Sequence, residues 1–157
     1  MSARFSETVH VVNGLSPVAD ALAGTTNSDI VNMEGYGKCT FIVHAGVGTT
    51  GTSTFTVEAS DDVSASNTTA IKFAYRQITS GDTHGALTNA AAAGYTNTAG
   101  SDDIEIIEVS AEDLSSTGYS YVRLHAVESA NDPVLAGILI ILSDPRFPQS
   151  VTDSAIT

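Results

Sequence analysis

The chain has no tryptophan, one cysteine, two methionines, four prolines and only six basic side chains in 157 residues. A single thiol, Cys39, excludes an intrachain disulfide and a cysteine-based zinc site. It fits synthesis in a reducing cytoplasm. Six lysines and arginines against 18 acidic residues leave a net charge of −12. Such a chain lacks the phosphate-neutralising surface on which nucleic-acid binding depends, and anionic membranes repel it. It is suited to a partner with a positive face. Charged residues make up only 15% of the chain, against about 25% in an average protein, so Ser, Thr, Asn and Gly must finish the surface. No long hydrophobic run exists either. The longest, residues 134–142, has nine residues, whereas a membrane helix needs about 20. Residues 1–12 carry one basic residue, Arg4, and no apolar stretch of the signal-peptide kind.

What is present reads as β structure. The length suits one domain, which at this size buries roughly 68–70% of its unfolded surface and holds together without staples. Residues 38–45 are β-branched and aromatic, and Cys39 alternates with Phe41 and Val43 toward a core, leaving Ile42 outward. Residues 53–59 alternate cleanly, with Phe55, Val57 and Ala59 on one face. The glycine-rich stretch 46–51 between them is expected to close a β-hairpin, and residues 71–78 to extend it into a meander. Residues 80–99 read as a long loop with a short strand near Tyr95, residues 104–109 as a strand whose doubled Ile106-Ile107 calls for a bulge or two-sided burial. Ser110 caps one helical turn with Glu112 and Asp113 in it. Residues 119–127 form a strand with Val122, Leu124 and Ala126 inward and Tyr121, Arg123 and His125 outward. Residues 134–142 are apolar on both faces, so a central or interface strand is expected. About seven or eight strands and no helix–strand alternation give an all-β fold. The expected form is an antiparallel β-sandwich or a partly closed, jelly-roll-like β-barrel. It spans residues 28–143, with extended arms at 1–27 and 144–157.

No motif for catalysis or metal binding emerges. His10, His44, His84 and His125 form no zinc-like spacing. The outward His44 and His125 are the pair that neighbouring strands would bring together, as surface histidines. Asp61-Asp62 and Asp102-Asp103 lack EF-hand spacing and read as solvated turn residues. Gly46, Gly48 and Gly51 match the dinucleotide fingerprint, but a strand follows where a helix is required. The Gly-x-Ser-x-Gly elbow is absent. No enzyme activity and no cofactor are expected. Tyr119 and Tyr121 offer a stacking platform to a sugar, which makes a carbohydrate-binding module an alternative; packing against a neighbouring strand or subunit is preferred.

Four stretches carry a resemblance. They are Thr26-Asn27-Ser28-Asp29-Ile30-Val31-Asn32-Met33, Thr54-Phe55-Thr56-Val57-Glu58-Ala59-Ser60-Asp61-Asp62, Gly118-Tyr119-Ser120-Tyr121-Val122-Arg123-Leu124, and Gly137-Ile138-Leu139-Ile140-Ile141-Leu142. In pattern and phrase they resemble the small β-rich structural proteins of tailed-bacteriophage particles, head decoration or cement proteins above all. The resemblance implies a virion protein on the capsid exterior whose partner is the major capsid protein and which assembles as a homo-oligomer, a trimer being favoured. A tail-tube or head–tail connector protein, with a long hairpin in residues 71–99, is the alternative. No contact residue follows from the resemblance. From apolar character and outward position, Ile42, Tyr119, Tyr121, Val134, Ile138 and Ile140 are the interface candidates.

Overall fold

A computed structural model describes residues 4–79 and 81–147. Among them are two one-turn helices, α1 (Phe5–Thr8) and α2 (Ala111–Leu114), and twelve strands. The strands are β1 (His10–Val18), β2 (Thr25–Asn27), β3 (Val31–Asn32), β4 (Tyr36–Ala45), β5 (Thr52–Ser60), β6 (Thr68–Ile71), β7 (Phe73–Ile78), β8 (Thr88–Ala90), β9 (Tyr95–Thr96), β10 (Ile104–Ser110), β11 (Tyr121–Ala130) and β12 (Ala136–Pro145). All pair antiparallel. The first sheet runs β1-β12-β4-β10-β7-β8, and the second β2-β11-β5-β6, with β3 also on β11 and β9 on β5. The two sheets form a sandwich, and no barrel closes. Phe41, Ile107, Ile138, Ile140 and Leu142 from the first sheet meet Phe55, Val57, Val122 and Leu124 from the second in a fully buried interior. Cys39 lies there too, and burial pushes its thiol up, so it is an inert core residue.

The expected hairpin of residues 38–59 does not form. β4 and β5 belong to opposite sheets, and the glycine-rich loop between them is an arch across the end of the sandwich. Both strands have a fully apolar face to bury, and facing each other across the core buries both. Loop packing supports the arch. A Cβ at Gly51 would collide with the Asp132 carbonyl oxygen, and the Asp132 carboxylate accepts from the Thr49 hydroxyl and, at 2.9 Å, from the Thr50 amide.

Within the arm expected over residues 1–27, residues 10–18 and 25–27 are instead the sheet strands β1 and β2, while residues 1–3 lie outside the described residues. β1 pairs with β12 from His10↔Leu142 to Val18↔Ala136, with two register shifts. Its Gly14, Ser16 and Pro17 obscure the strand pattern, yet they are what an edge strand with bulges uses. A Cβ at Gly14 would lie 2.7 Å from Ile140 Cγ1, so the backbone there approaches the core more closely than any side chain allows. At the other end, β12 runs to Pro145, so the tail expected from 144 begins inside a strand; residues 148–157 lie outside the described residues.

Other details agree with the sequence. Tyr95 begins β9, and Ser110 caps α2 through a capping box with Asp113. β10 shows no bulge; Ile107 enters the core and Ile106 packs partly on the outside. Gly94, at φ +80°, turns the chain from β8 to β9, and a Cβ there would collide with the Phe55 carbonyl oxygen. Gly94→Ala is expected to cost about 2–4 kcal/mol from the clash and the left-handed backbone together. Gly35→Ala, with nothing within 4 Å of its new methyl, should stay within about 0.5 kcal/mol of wild type, and a urea titration of the two variants beside wild type checks both.

Candidate interaction surfaces

Strand register sorts the first sheet into inward and outward rows. One outward row is Val11, Ile141, Thr40, Glu108, Ala74, and the next is Asn13, Leu139, Ile42, Ile106, Arg76. A third holds Gly137, His44, Ile104 and Ile78. Val11, Ile42, Ile104, Ile106, Leu139 and Ile141 thus form one continuous aliphatic field over four adjacent strands. Val11 is 50% exposed and Leu139 47%. Pro17 bounds the field at one edge, where it lies over Gly137. On the opposite side Arg76 donates to the Gly85 carbonyl at 3.0 Å.

The outer face of the second sheet is different in kind. Thr54 shares hydrogen bonds of 2.8 Å with Thr96 and Ser129, Arg123 is paired with Glu58 at 2.7 Å, and His125 Nδ1 meets Asn27 Oδ1 at 2.7 Å. These side chains bond to one another along the sheet, as a solvated antiparallel face does. His125 therefore lies on the second sheet and His44 on the first, and the two do not meet across neighbouring strands.

A cleft of about 1180 Å³ opens beside the edge strands β6 and β8 and the helix α2. Lys38 and Lys72, the only lysines in the chain, line it together with Asn89, Ser110, Asp113 and Tyr119. Lys72 pairs with Asp113 at 3.5 Å and Lys38 with Asp144 at 3.1 Å, so the cleft carries no surplus of positive charge.

Inside the sandwich, one polar group stands out. Glu105 is 3% exposed and points between the sheets, where Gln77 Nε2 donates to Oε1 at 3.1 Å and the Tyr95 hydroxyl to Oε2 at 2.8 Å. Tyr95 stacks on Tyr75 with ring centroids 3.6 Å apart. Burial raises the Glu105 carboxyl above the usual range, and the two donors offset only part of that. Asp103, expected in a solvated turn, is 4% exposed and likewise raised, by burial first and by Asp102 second. No cation pairs with either acid among the described ion pairs. Asp61 and Asp62 do lie in an exposed turn, where the Ser64 hydroxyl holds Asp62 below the usual carboxylate range. Among the described residues no three His, Cys, Asp or Glu side chains converge as metal ligands would.

The interface candidates separate. Ile42 is outward, at the centre of the aliphatic field. Ile138 and Ile140 are not available to a partner: they pair with Val43 and Phe41 and point into the core at 1% and 0% exposure. Val134 and Tyr119 are partly buried against the core, Tyr119 at the rim of the cleft, and Tyr121 heads β11 opposite Asn32 and Ser60. The outward residues of β12 are Leu139 and Ile141, which sequence reasoning passed over. A signal existed: in residues 137–143 the odd positions include Gly137 and Ser143, while the even ones hold only Ile138, Ile140 and Leu142. The more apolar parity is the core parity.

No protein-family model matches this chain, and no curated protein matches it. Among solved structures, the chain is similar to the SPBc2 prophage-derived protein YomS, with a TM-score of 0.50 and 13% identity over 87% of this chain and 93% of that one. At that identity the likeness is one of fold: a two-sheet antiparallel sandwich that a prophage-derived protein also adopts.

Proposed function

We propose that this chain is a structural protein of a tailed-phage particle, a capsid decoration protein that binds the major capsid protein and stabilises the head. The observation that carries this reading is the sandwich fold it has in common with a prophage-derived protein over nearly the full length of both chains. The surface supports it. The outward aliphatic face of the first sheet is suited to contact between polypeptides, as in an assembled coat, rather than to turning over a small molecule. The net charge of −12 adds a long-range attraction toward a basic capsid surface, and binding should weaken with salt. Decoration proteins work in many copies on a lattice, so modest contacts add up to firm attachment. The protein is made in the host cytoplasm and ends on the capsid exterior. The tail-tube alternative calls for a long hairpin in residues 71–99. The strands that begin there are β7, with six residues, β8, with three, and β9, with two, and β9 pairs with β5, which favours the head.

The test is co-sedimentation of the purified chain with undecorated phage shells. Saturable binding that delays thermal rupture of the shells is expected. Recovery with tails, or with neither part of the particle, would remove the proposal.

A further inference from the structure

We infer that the outward aliphatic face of the first sheet is the seat of a second copy of this chain, packed sheet against sheet. This inference stands apart from the virion reading and does not depend on it.

The two outer faces differ in kind. Both belong to antiparallel sheets with one side already given to the core. On the second sheet the outward positions Thr54, Thr56, Glu58, Arg123 and His125 are polar, with Tyr121 and Val127 beside them on β11, a finish suited to water. On the first, Val11, Ile42, Ile104, Ile106, Leu139 and Ile141 dominate, with Asn13, Thr40 and His44 among them. Six aliphatic side chains on neighbouring strands resemble the inner face of a sandwich with its cover removed.

Charge selects the occupant. Two copies of a chain at −12 repel one another over most of their surface. On this face the outward strand positions carry Lys38, Arg76 and Glu108, and Asp144 answers Lys38 at 3.1 Å. Two basic and two acidic groups leave the face without net repulsion, so like can meet like here. Size agrees. Four strands at about 4.8 Å and about seven residues at about 3.4 Å give a plan area of roughly 460 Å². Side-chain relief raises the accessible area above that figure, which suits a contact at the small end of specific interfaces. The contact would be self-complementary about a two-fold axis, with the sheets about 10 Å apart.

The test is sedimentation velocity of the full chain over a micromolar concentration series, with a thermal melt to confirm that each variant folds. Wild type is expected to form dimers. Leu139→Glu places an acid at the centre of the contact and should weaken association at least about tenfold. Val127→Glu, on the second sheet and 39% exposed in wild type, should associate like wild type. A wild type that stays monomeric, or two variants with equal effects, overturns the inference. If the wild type is monomeric and Leu139→Glu instead abolishes shell binding, the face belongs to the capsid protein and the self-contact is wrong. Dimers lost in Leu139→Glu while shells ignore the protein uphold this inference and remove the virion reading alone.

Discussion

Ile140→Ala is expected to cost about 3–4 kcal/mol of folding stability, and Leu139→Ala, its neighbour in the chain, less than about 1 kcal/mol. The difference comes from strand phase alone. Ile140 is 0% exposed, pairs with Val12 and Phe41 across its two neighbouring strands, and has its Cγ1 2.7 Å from the place a Cβ on Gly14 would occupy. Truncation there leaves a cavity that the packed strands cannot close. Leu139 points the other way, at 47% exposure, so alanine removes surface that water already touches. Guanidinium titrations of both variants at dilute protein concentration measure the pair. The opposite order would mean that β12 is shifted by one residue, because a one-residue slip exchanges the two faces of a strand.

Glu105→Gln is expected to stabilise the protein by about 1–3 kcal/mol near pH 8, the range for removing a buried charge that lacks a counter-ion, and to change little near pH 4. The sign follows from the direction of the shift. Burial raises the Glu105 carboxyl in the folded state above its ordinary value of 4.5. The folded chain then holds a proton that the unfolded chain has released. The stability this provides is complete below the unfolded value and is lost as pH rises through the folded one. Glutamine keeps the shape, still accepts from Gln77 Nε2, and lets the Tyr95 hydroxyl turn to accept from its amide, with no charge to bury. Part of the pH slope should survive in the variant, because Asp103 is raised in the same direction. Asp62 and Asp132 are held low by hydrogen bonds from Ser64 and Thr49, so they act oppositely, losing stability only as pH falls through their depressed values. Glu105→Ala separates charge from hydrogen bonding. It strands the Tyr95 hydroxyl and the Gln77 amide, and should destabilise by about 1–3 kcal/mol near pH 4 and by less near pH 8, where removal of the buried charge offsets part of the loss as it does in Glu105→Gln. Thermal melts across the pH range, with identical slopes for wild type and Glu105→Gln, would contradict the account.

Much of this fold is legible in the residues, and its gaps have physical causes. Alternation in residues 38–45, 53–59 and 119–127 places Cys39, Phe41, Phe55, Val57 and Leu124 in the core, where they lie. Alternation says which side of a strand is buried and nothing about which strand covers it. β4 and β5, joined by six residues rich in glycine, therefore read as a hairpin while they face each other across the core. β1 was hidden for another reason. An edge strand with two register shifts, a proline and a glycine departs from period two, so propensity marks it as an arm. The interface candidates failed where a choice of phase was needed. Ile138 and Ile140 are as apolar as Leu139 and Ile141, and only register against Val43 and Phe41 fixes which pair is inside. Glu105 gave no sign in sequence, because a glutamate on an alternating strand reads as solvated until its neighbours Gln77 and Tyr95 are known.

The two outer faces are unequal, one finished for water and one for contact. Carbene footprinting of the full chain over a rising concentration series tests that inequality most directly. Falling label at Val11, Ile42 and Leu139, with constant label at Thr54, Glu58 and Arg123, is the predicted result. Unchanged label on both faces, or protection on the Thr54–Arg123 side, would contradict it.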